Sequence, residues 1–250
     1  MWKTTKFLAL WAFGVMILLG SLAFSGHLDK KSDGKINTAI KINKQNTSGI
    51  LKIDLPSPHP ELNTSVYKLA LQGYHKLSVA QKITRQLLTI VDFSKPSSEK
   101  RMFIIDMAKQ EILFYTYVSH GSNSGEKMAT RFSNTDATHQ SSLGFYLTGA
   151  TYMGGNGYSL KLKGLEPGFN DKAESRAIVM HGAPYVSETV IKNTGRLGRS
   201  WGCPAVSKKE HKQIIDLVKG GSCLFIYAPQ KDYLAASSFL KDSLEGEQML

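Results

Sequence analysis

Gly195-Arg-Leu-Gly-Arg-Ser-Trp-Gly-Cys-Pro-Ala-Val206 carries one of only two cysteines in a chain of 250 residues, set between a glycine and a proline. One loop upstream, Ala177-Ile-Val-Met-His-Gly-Ala-Pro184 reads as an apolar strand that delivers His181 at its end, ahead of a Gly/Pro turn. A strand-end imidazole and a turn-borne thiol approach each other without distorting either element. Cysteine chemistry calls for that pairing. A free thiol titrates near pKa ~8.5, and a neighbouring imidazole brings it down to roughly 3.5–7.5. Gly202 lets a substrate come close to the backbone, and the N–H of Cys203 is a candidate oxyanion donor, commonly worth about 10²–10³ in rate. Taken one at a time these residues have plainer readings. An isolated Cys is usually a small core residue, a lone His is usually structural, and Arg196 and Arg199 in a loop are usually solvated.

The composition suits a folded core: 42% of residues are hydrophobic and 10% aromatic. A formal net charge of +11 calls for an anionic partner or surface. The N-terminus narrows the choice. Met1-Trp-Lys-Thr-Thr-Lys6 is basic, and the uncharged run Phe7–Phe24 follows it. As a helix that run reaches roughly 27 Å, slightly short of a bilayer core near 30 Å. Residues 1–25 therefore read as a cleaved signal peptide, with Ala23 and Ser25 placed for a cut after Ser25, or as an uncleaved anchor through 7–24. Either reading exports the remainder, which makes nucleic acid an unexpected partner.

Residues 26–60 are polar and lysine-rich and end in Pro56-Ser-Pro-His-Pro60, a linker. Leu62, Val66, Leu69, Ala70 and Leu77 recur at helical spacing, with Asn63 or Ser65 as N-cap and Gly73 weakening the middle. The segment 61–95 thus holds a helix leaning on a catalytic domain over 96–230, and 231–250 forms a tail. Strands are expected over 87–91, 102–105, 112–118, 145–152, 158–162, 177–180 and 222–227. Met153-Gly-Gly-Asn-Gly157 marks a hairpin. Ser207-Lys-Lys-Glu210 is a capping box opening a helix that Gly220 and Gly221 stop. The polar stretch from His120 to Ser142 is too long for an ordinary connection and is expected to border a cleft.

The seven histidines show no H-x-x-H or H-E-x-x-H spacing, and no C-x-x-C occurs, so no metal site is expected. Cys203 and Cys223 are a possible disulfide in an exported chain, although Cys223 sits in an apolar run that reads as core. His120 is a candidate substrate contact within the polar stretch.

His181-Gly-Ala-Pro followed by Gly198-Arg-Ser-Trp-Gly-Cys-Pro-Ala205 resembles the signature of the YkuD-type L,D-transpeptidases, in which a strand-end His precedes Ser/Thr-His-Gly-Cys. The likeness is greatest to a murein L,D-transpeptidase branch with Trp in place of the second His. It extends to Asp92–Ser97, His120–Gly125, Phe132–Asn134, Ser141–Gly144, Tyr152, Gly157–Leu160 and Arg176. The resemblance implies a β-rich, sandwich-like catalytic domain with a few peripheral helices and a preceding N-terminal helix. It implies Cys203 as nucleophile, His181 as general base, Gly182 as the carbonyl that orients the base, and Gly202 with Cys203 at the oxyanion site. The substrate would be a peptidoglycan stem tetrapeptide, attacked at the L-centre carbonyl of diaminopimelate with loss of D-alanine and no cofactor. An amine acceptor gives a 3→3 cross-link; water gives a carboxypeptidase. A non-catalytic wall-binding module is the rival from another class. Trp201 and Pro204-Ala205 depart from the family pattern. Arg199 or Arg196 are candidates for the lost positive contact, with Ser200, Trp201 and Tyr152 as further substrate contacts.

Overall fold

The computed structural model describes residues 57–241. The expected leader and nearly all of the linker fall outside that range. Among the described residues no helix is long and apolar enough to cross a membrane.

Helix α1 spans Thr64–Val79 and starts where the sequence places it: the Asn63 side-chain oxygen accepts from Ser65 N at 2.8 Å and Val66 N at 3.4 Å. Such a cap contributes about 1 kcal/mol. The helix buries Val66, Tyr67, Ala70, Leu71, Tyr74 and Leu77. Gly73 lies on this same face, and a Cβ there would come within 2.1 Å of Phe145 Cζ. The cost of glycine in a helix, about 1 kcal/mol, is thus offset by close packing.

Eight strands follow: β1 (Leu87–Asp92), β2 (Met102–Asp106), β3 (Glu111–Thr116), β4 (Gly144–Gly154), β5 (Gly157–Gly164), β6 (Val179–Ala183), β7 (Ala205–Ser207) and β8 (Cys223–Tyr227). They form one sheet in the order β3-β2-β1-β8-β4-β5-β6-β7. Its two ends meet, because Ser119, just beyond β3, bridges Ala205 in β7 through an N–H···O bond of 2.8 Å. The sheet is therefore nearly closed on itself, which leaves few free edges. β1 is buried along its whole length, as suits a central strand covered on both faces. The fold is the β-rich one with peripheral helices that the sequence predicts.

The remaining helices are α2 (Glu188–Thr194), α3 (His211–Val218) and α4 (Lys231–Ala236). The hairpin expected at 153–157 joins β4 to β5, with Gly154 paired to Gly157. The expected capping box does not start α3, whose N-cap is Glu210 with no side-chain cap bond; Ser207 and Glu210 form a turn ahead of it. Ser207 Oγ accepts from Glu210 N at 3.2 Å, but the Glu210 carboxylate turns to the hydroxyls of Ser207 and Thr116 instead of reaching back to the backbone.

Two local expectations are corrected. β6 begins at Val179 and runs to Ala183, so His181 is in mid-strand and not at its end. The strand starts late because Ala177 is left-handed, with φ 53°, and it continues because β7 pairs along it as far as Ala183↔Ser207. Helices α2 and α4 and strand β7 are absent from the sequence reading, and α4 lies where a tail is expected, with Tyr233 and Leu240 buried in the core. α2 did leave a signal: Ser187 Oγ caps it by accepting from Val190 N at 3.3 Å, and Gly195 ends it at φ 75°.

Candidate active site

Strands β6 and β7 are parallel neighbours with His181 opposite Ala205. Cys203 precedes β7 by two residues, so the register carries its sulfur alongside the start of β6. There Sγ accepts from Val179 N at 3.4 Å and donates to Ala177 O at 3.6 Å. Burial raises the thiol pKa above its ordinary value; the Val179 amide and the Arg176 guanidinium offset part of that. The depressed pKa expected from an adjacent imidazole is therefore absent, since no hydrogen bond joins His181 to the sulfur. A thiol sheltered from water and bonded to a carbonyl is held protonated.

His181 is buried, and its Nδ1 lies 3.3 Å from Gly182 O. A carbonyl only accepts, so Nδ1 carries the proton and Nε2 presents its lone pair in the neutral ring. Burial lowers the pKa of His181 most, and the charges of Lys208 and His211 lower it further. The imidazole is thus neutral at pH 7 and free to take a proton. Gly182 has a second constraint: a Cβ there would fall 2.5 Å from Cγ of His211.

The loop before Cys203 is held from within. Gly202 has φ 115°, and a Cβ on it would meet Gln140 O at 2.7 Å. The gap that the sequence reserves for substrate is filled there by the chain's own carbonyl. Gly202 N donates to Ser200 Oγ at 3.1 Å, and that hydroxyl donates to Cys203 O at 2.6 Å. Ser200 is therefore a staple of the loop and not a substrate contact, and the Gly202 amide is already engaged. The Cys203 N–H makes no hydrogen bond to another described residue, which keeps it available to a developing oxyanion.

The two loop arginines are likewise occupied. Glu126 pairs with Arg199 at 2.6 Å and with Arg196 at 3.0 Å. Arg199 also donates to the carbonyls of Ser122 and Gly125, and Arg196 to that of Leu197. The carboxylate these cations meet belongs to the protein. Trp201 is 75% exposed and stacks on His139, with ring centroids 4.9 Å apart and planes at 6°. Tyr152 is half exposed and lines a cavity beside β5 and β6.

His120 is a correction of another kind. The ring is fully buried; Nδ1 accepts from Arg101 Nη2 at 2.8 Å and Nε2–H donates to Gly125 O at 3.2 Å. It organises the loop from beneath and cannot touch substrate. Burial and the Arg101 charge push its pKa down to about 4. The unfolded ring, near pKa ~6.5, binds more protons through this window, so stability falls as pH drops from about 6.5 to about 4. The loss attributable to His120 is about 3 kcal/mol at most. Thermal melts should show this acid limb, and it should be flatter in His120→Gln, whose amide does not titrate.

Sequence reasoning passed over Arg176 as a working residue. Its guanidinium donates to Ser133 O, Ser142 Oγ, Thr138 Oγ1 and Gln140 O. These bonds tie the long polar stretch to the start of β6, and so fix the Gln140 carbonyl against Gly202. The expected border of a cleft is in this sense a brace for the cysteine loop, with one 3₁₀ turn at Ser122–Ser124. Among the described residues no group of three or more His, Cys, Asp or Glu side chains is placed to hold a metal ion. Cys203 and Cys223 are both free, and Cys223 is fully buried in β8.

A buried thiol just ahead of β7 and a tautomer-fixed neutral imidazole on the neighbouring strand β6, with an unused amide beside the sulfur, are the parts of a cysteine-type acyl-transfer site. The model of the L,D-transpeptidase catalytic domain family matches residues 58–227, and the chain belongs to that family. A comparison with curated proteins finds no match. Among solved structures, an L,D-transpeptidase from Mycobacterium smegmatis is 14% identical over 57% of this chain and 59% of that one, with a TM-score of 0.35. One from Mycobacterium tuberculosis H37Rv is 14% identical over 57% and 58%, at 0.33. One from Stackebrandtia nassauensis is 11% identical over 66% and 68%, at 0.33. The chain spans less than two thirds of the length of either mycobacterial structure.

Proposed function

We propose that the protein is an exported L,D-transpeptidase that acts on peptidoglycan stem peptides through a thioester on Cys203. The observation that carries the reading is the Nδ1–H···O=C bond from His181 to Gly182, which leaves Nε2 as an unprotonated base one strand away from the cysteine. The resting thiol turns toward Ala177, and the contacts that hold it there are weak because a thiol is a weak donor and a weak acceptor. Rotation about Cα–Cβ swings the sulfur toward the imidazole when a substrate carbonyl enters. The S–H proton then passes to Nε2, and the sulfur bonds to the L-centre carbonyl of the third stem residue. The Cys203 N–H holds the oxyanion. As the carbon–nitrogen bond to D-alanine breaks, the imidazolium returns the proton to the leaving amine. An amine of a second stem resolves the thioester to a cross-link, and water resolves it to a tripeptide.

The basic leader-like segment and the net charge of +11 support export toward an anionic envelope, with 7–24 as a cleaved signal or a membrane anchor. Purified full chain incubated with disaccharide-tetrapeptides and analysed by mass spectrometry tests the reaction. Amide-linked dimers indicate transfer and tripeptides indicate hydrolysis. Folded protein giving neither would favour the wall-binding module.

The raised thiol pKa makes a separate prediction. Only the thiolate is alkylated, so the iodoacetamide rate at Cys203 without substrate should keep rising through pH 9. His181→Ala should leave that profile unchanged, because the imidazole does not touch the resting sulfur. A plateau below pH 8 that His181→Ala abolishes would show a thiolate–imidazolium pair already formed.

A further inference from the structure

Residues of β4 and β5 and of the start of β6 border a cavity of about 210 Å³. Part of its wall is the chain that touches the thiol: Ala177 and Val179, whose carbonyl and amide meet Sγ, both line it. Leu162 and Ile178 add apolar surface, while Lys161 and Glu174 bring one cation and one anion. Lys161 faces Val179 directly across the β5–β6 ladder, and Glu174 lies in the turn that leads into Ala177. Neither charge has an ion pair or side-chain hydrogen bond with any described residue, and they do not pair with each other. Elsewhere around this site charges are matched within the protein, as Arg196 and Arg199 are by Glu126.

Two opposite charges held apart over an apolar surface complement a group that carries both charges on a short carbon stem. That group is an amino-acid zwitterion. The volume corresponds to roughly seven waters at about 30 Å³ each, which accommodates such a head group and the methylenes behind it. We infer that this cavity is the subsite for the side-chain terminus of the third stem residue of the acyl donor, with Lys161 on its carboxylate and Glu174 on its ammonium. The assignment rests on the proposed function for the identity of the donor. It adds that a diaminopimelate with a free carboxylate is preferred to one whose terminus lacks that charge. The side chain leaves the carbon next to the attacked carbonyl, so its terminus must lodge within a few bonds' reach of the sulfur, and this cavity is walled by the two residues whose backbone touches the sulfur.

Calorimetry on the full-length Cys203→Ala protein tests this without requiring turnover. The ligands are tetrapeptide stems with meso-diaminopimelate, with its side-chain carboxamide, or with lysine at the third position. The free-carboxylate stem should bind about tenfold or more tightly than the other two, as expected for a charge-assisted contact. Adding Lys161→Ala, an exposed position, should erase that preference by weakening only the free-carboxylate stem. Glu174→Gln should weaken all three, since each keeps its ammonium. Equal binding of the three stems, no binding of any, or an equal loss for all three in Lys161→Ala would overturn the assignment. The two readings fail separately. Lys161-dependent binding with no product from the Cys203 protein preserves the subsite and removes the transferase. Product formed with no selectivity dependent on Lys161 does the reverse.

Discussion

Cys203→Ser should reduce turnover of disaccharide-tetrapeptide by about 10⁴–10⁶, the range seen when one member of a nucleophile–base pair is removed from a hydrolase. The replacement is nearly isosteric, and the residue makes only weak polar contacts through its sulfur, so the melting temperature should scarcely move. The reason lies in the chemistry. A hydroxyl is a far weaker acid than a thiol, and a neutral imidazole held by Gly182 O has no second group to strengthen it as a base. His181→Gln should cost about 10⁴–10⁶ as well, since it removes the other member of the same pair. It should also remove the acid limb of the kcat profile, which is expected below pH ~6.5 because burial lowers the His181 pKa. The double variant should be no slower than Cys203→Ser alone, since the two groups act in one step. Product from Cys203→Ser within tenfold of the natural chain, measured by mass spectrometry, would place the chemistry elsewhere.

Arg101→Met should produce the largest loss of stability. The guanidinium is fully buried; it donates through Nε and Nη2 to Val118 O, through Nη1 to Lys95 O, and through Nη2 to His120 Nδ1 at 2.8 Å. It also lies over the Phe93 ring, 4.7 Å from the centroid. Burial lowers its pKa to about 9 against the pull of Asp92, so it remains charged at neutral pH. Methionine fills much of the volume but leaves those acceptors without partners in a dry interior. Breaking a buried charged network from one side costs about 3–5 kcal/mol, or roughly 6–20 °C in Tm for a domain of this size. Calorimetry on the purified chain measures it. Because His120 and the Ser122–Gly125 turn lie directly above this network, activity should fall in the same variant below its Tm. A Tm within 2 °C of the natural chain would mean that the network contributes little.

Much of the architecture is legible along the chain because the signals are local. Asn63 caps α1 through a side chain two and three residues from its partners, and the period of Val66, Ala70 and Leu77 marks the buried face without reference to the rest of the fold. Seven of the strands coincide with short runs rich in apolar and aromatic residues. β7 escapes because three residues after a proline carry no periodicity, and it becomes a strand only through its pairing with β6. The end of β6 is hidden for the same reason, since pairing with β7 carries the strand on to Ala183.

The site divides along the same line. His181, Gly182 and Cys203 are marked by residue type and by their resemblance to a family pattern, and the pairing of β6 with β7 sets the first two on β6 and the cysteine just ahead of β7. Arg196, Arg199, Ser200 and His120 carry the right chemistry for substrate contacts, yet their hydrogen bonds are spent inside the protein, on Glu126, on Cys203 O and on Arg101. No local rule reveals this, because each partner other than Cys203 is distant in sequence. Lys161 and Glu174 show the converse, two ordinary surface charges that acquire a shared cavity only once β5 lies against β6. By itself the sequence determined which residue types and which short segments exist, since caps, strand runs and the Gly-Cys-Pro turn depend on neighbours in the chain. Tertiary structure alone decided which polar groups remain unsatisfied and so open to a ligand, because hydrogen-bond and charge partners are allotted by contacts between segments far apart in the chain.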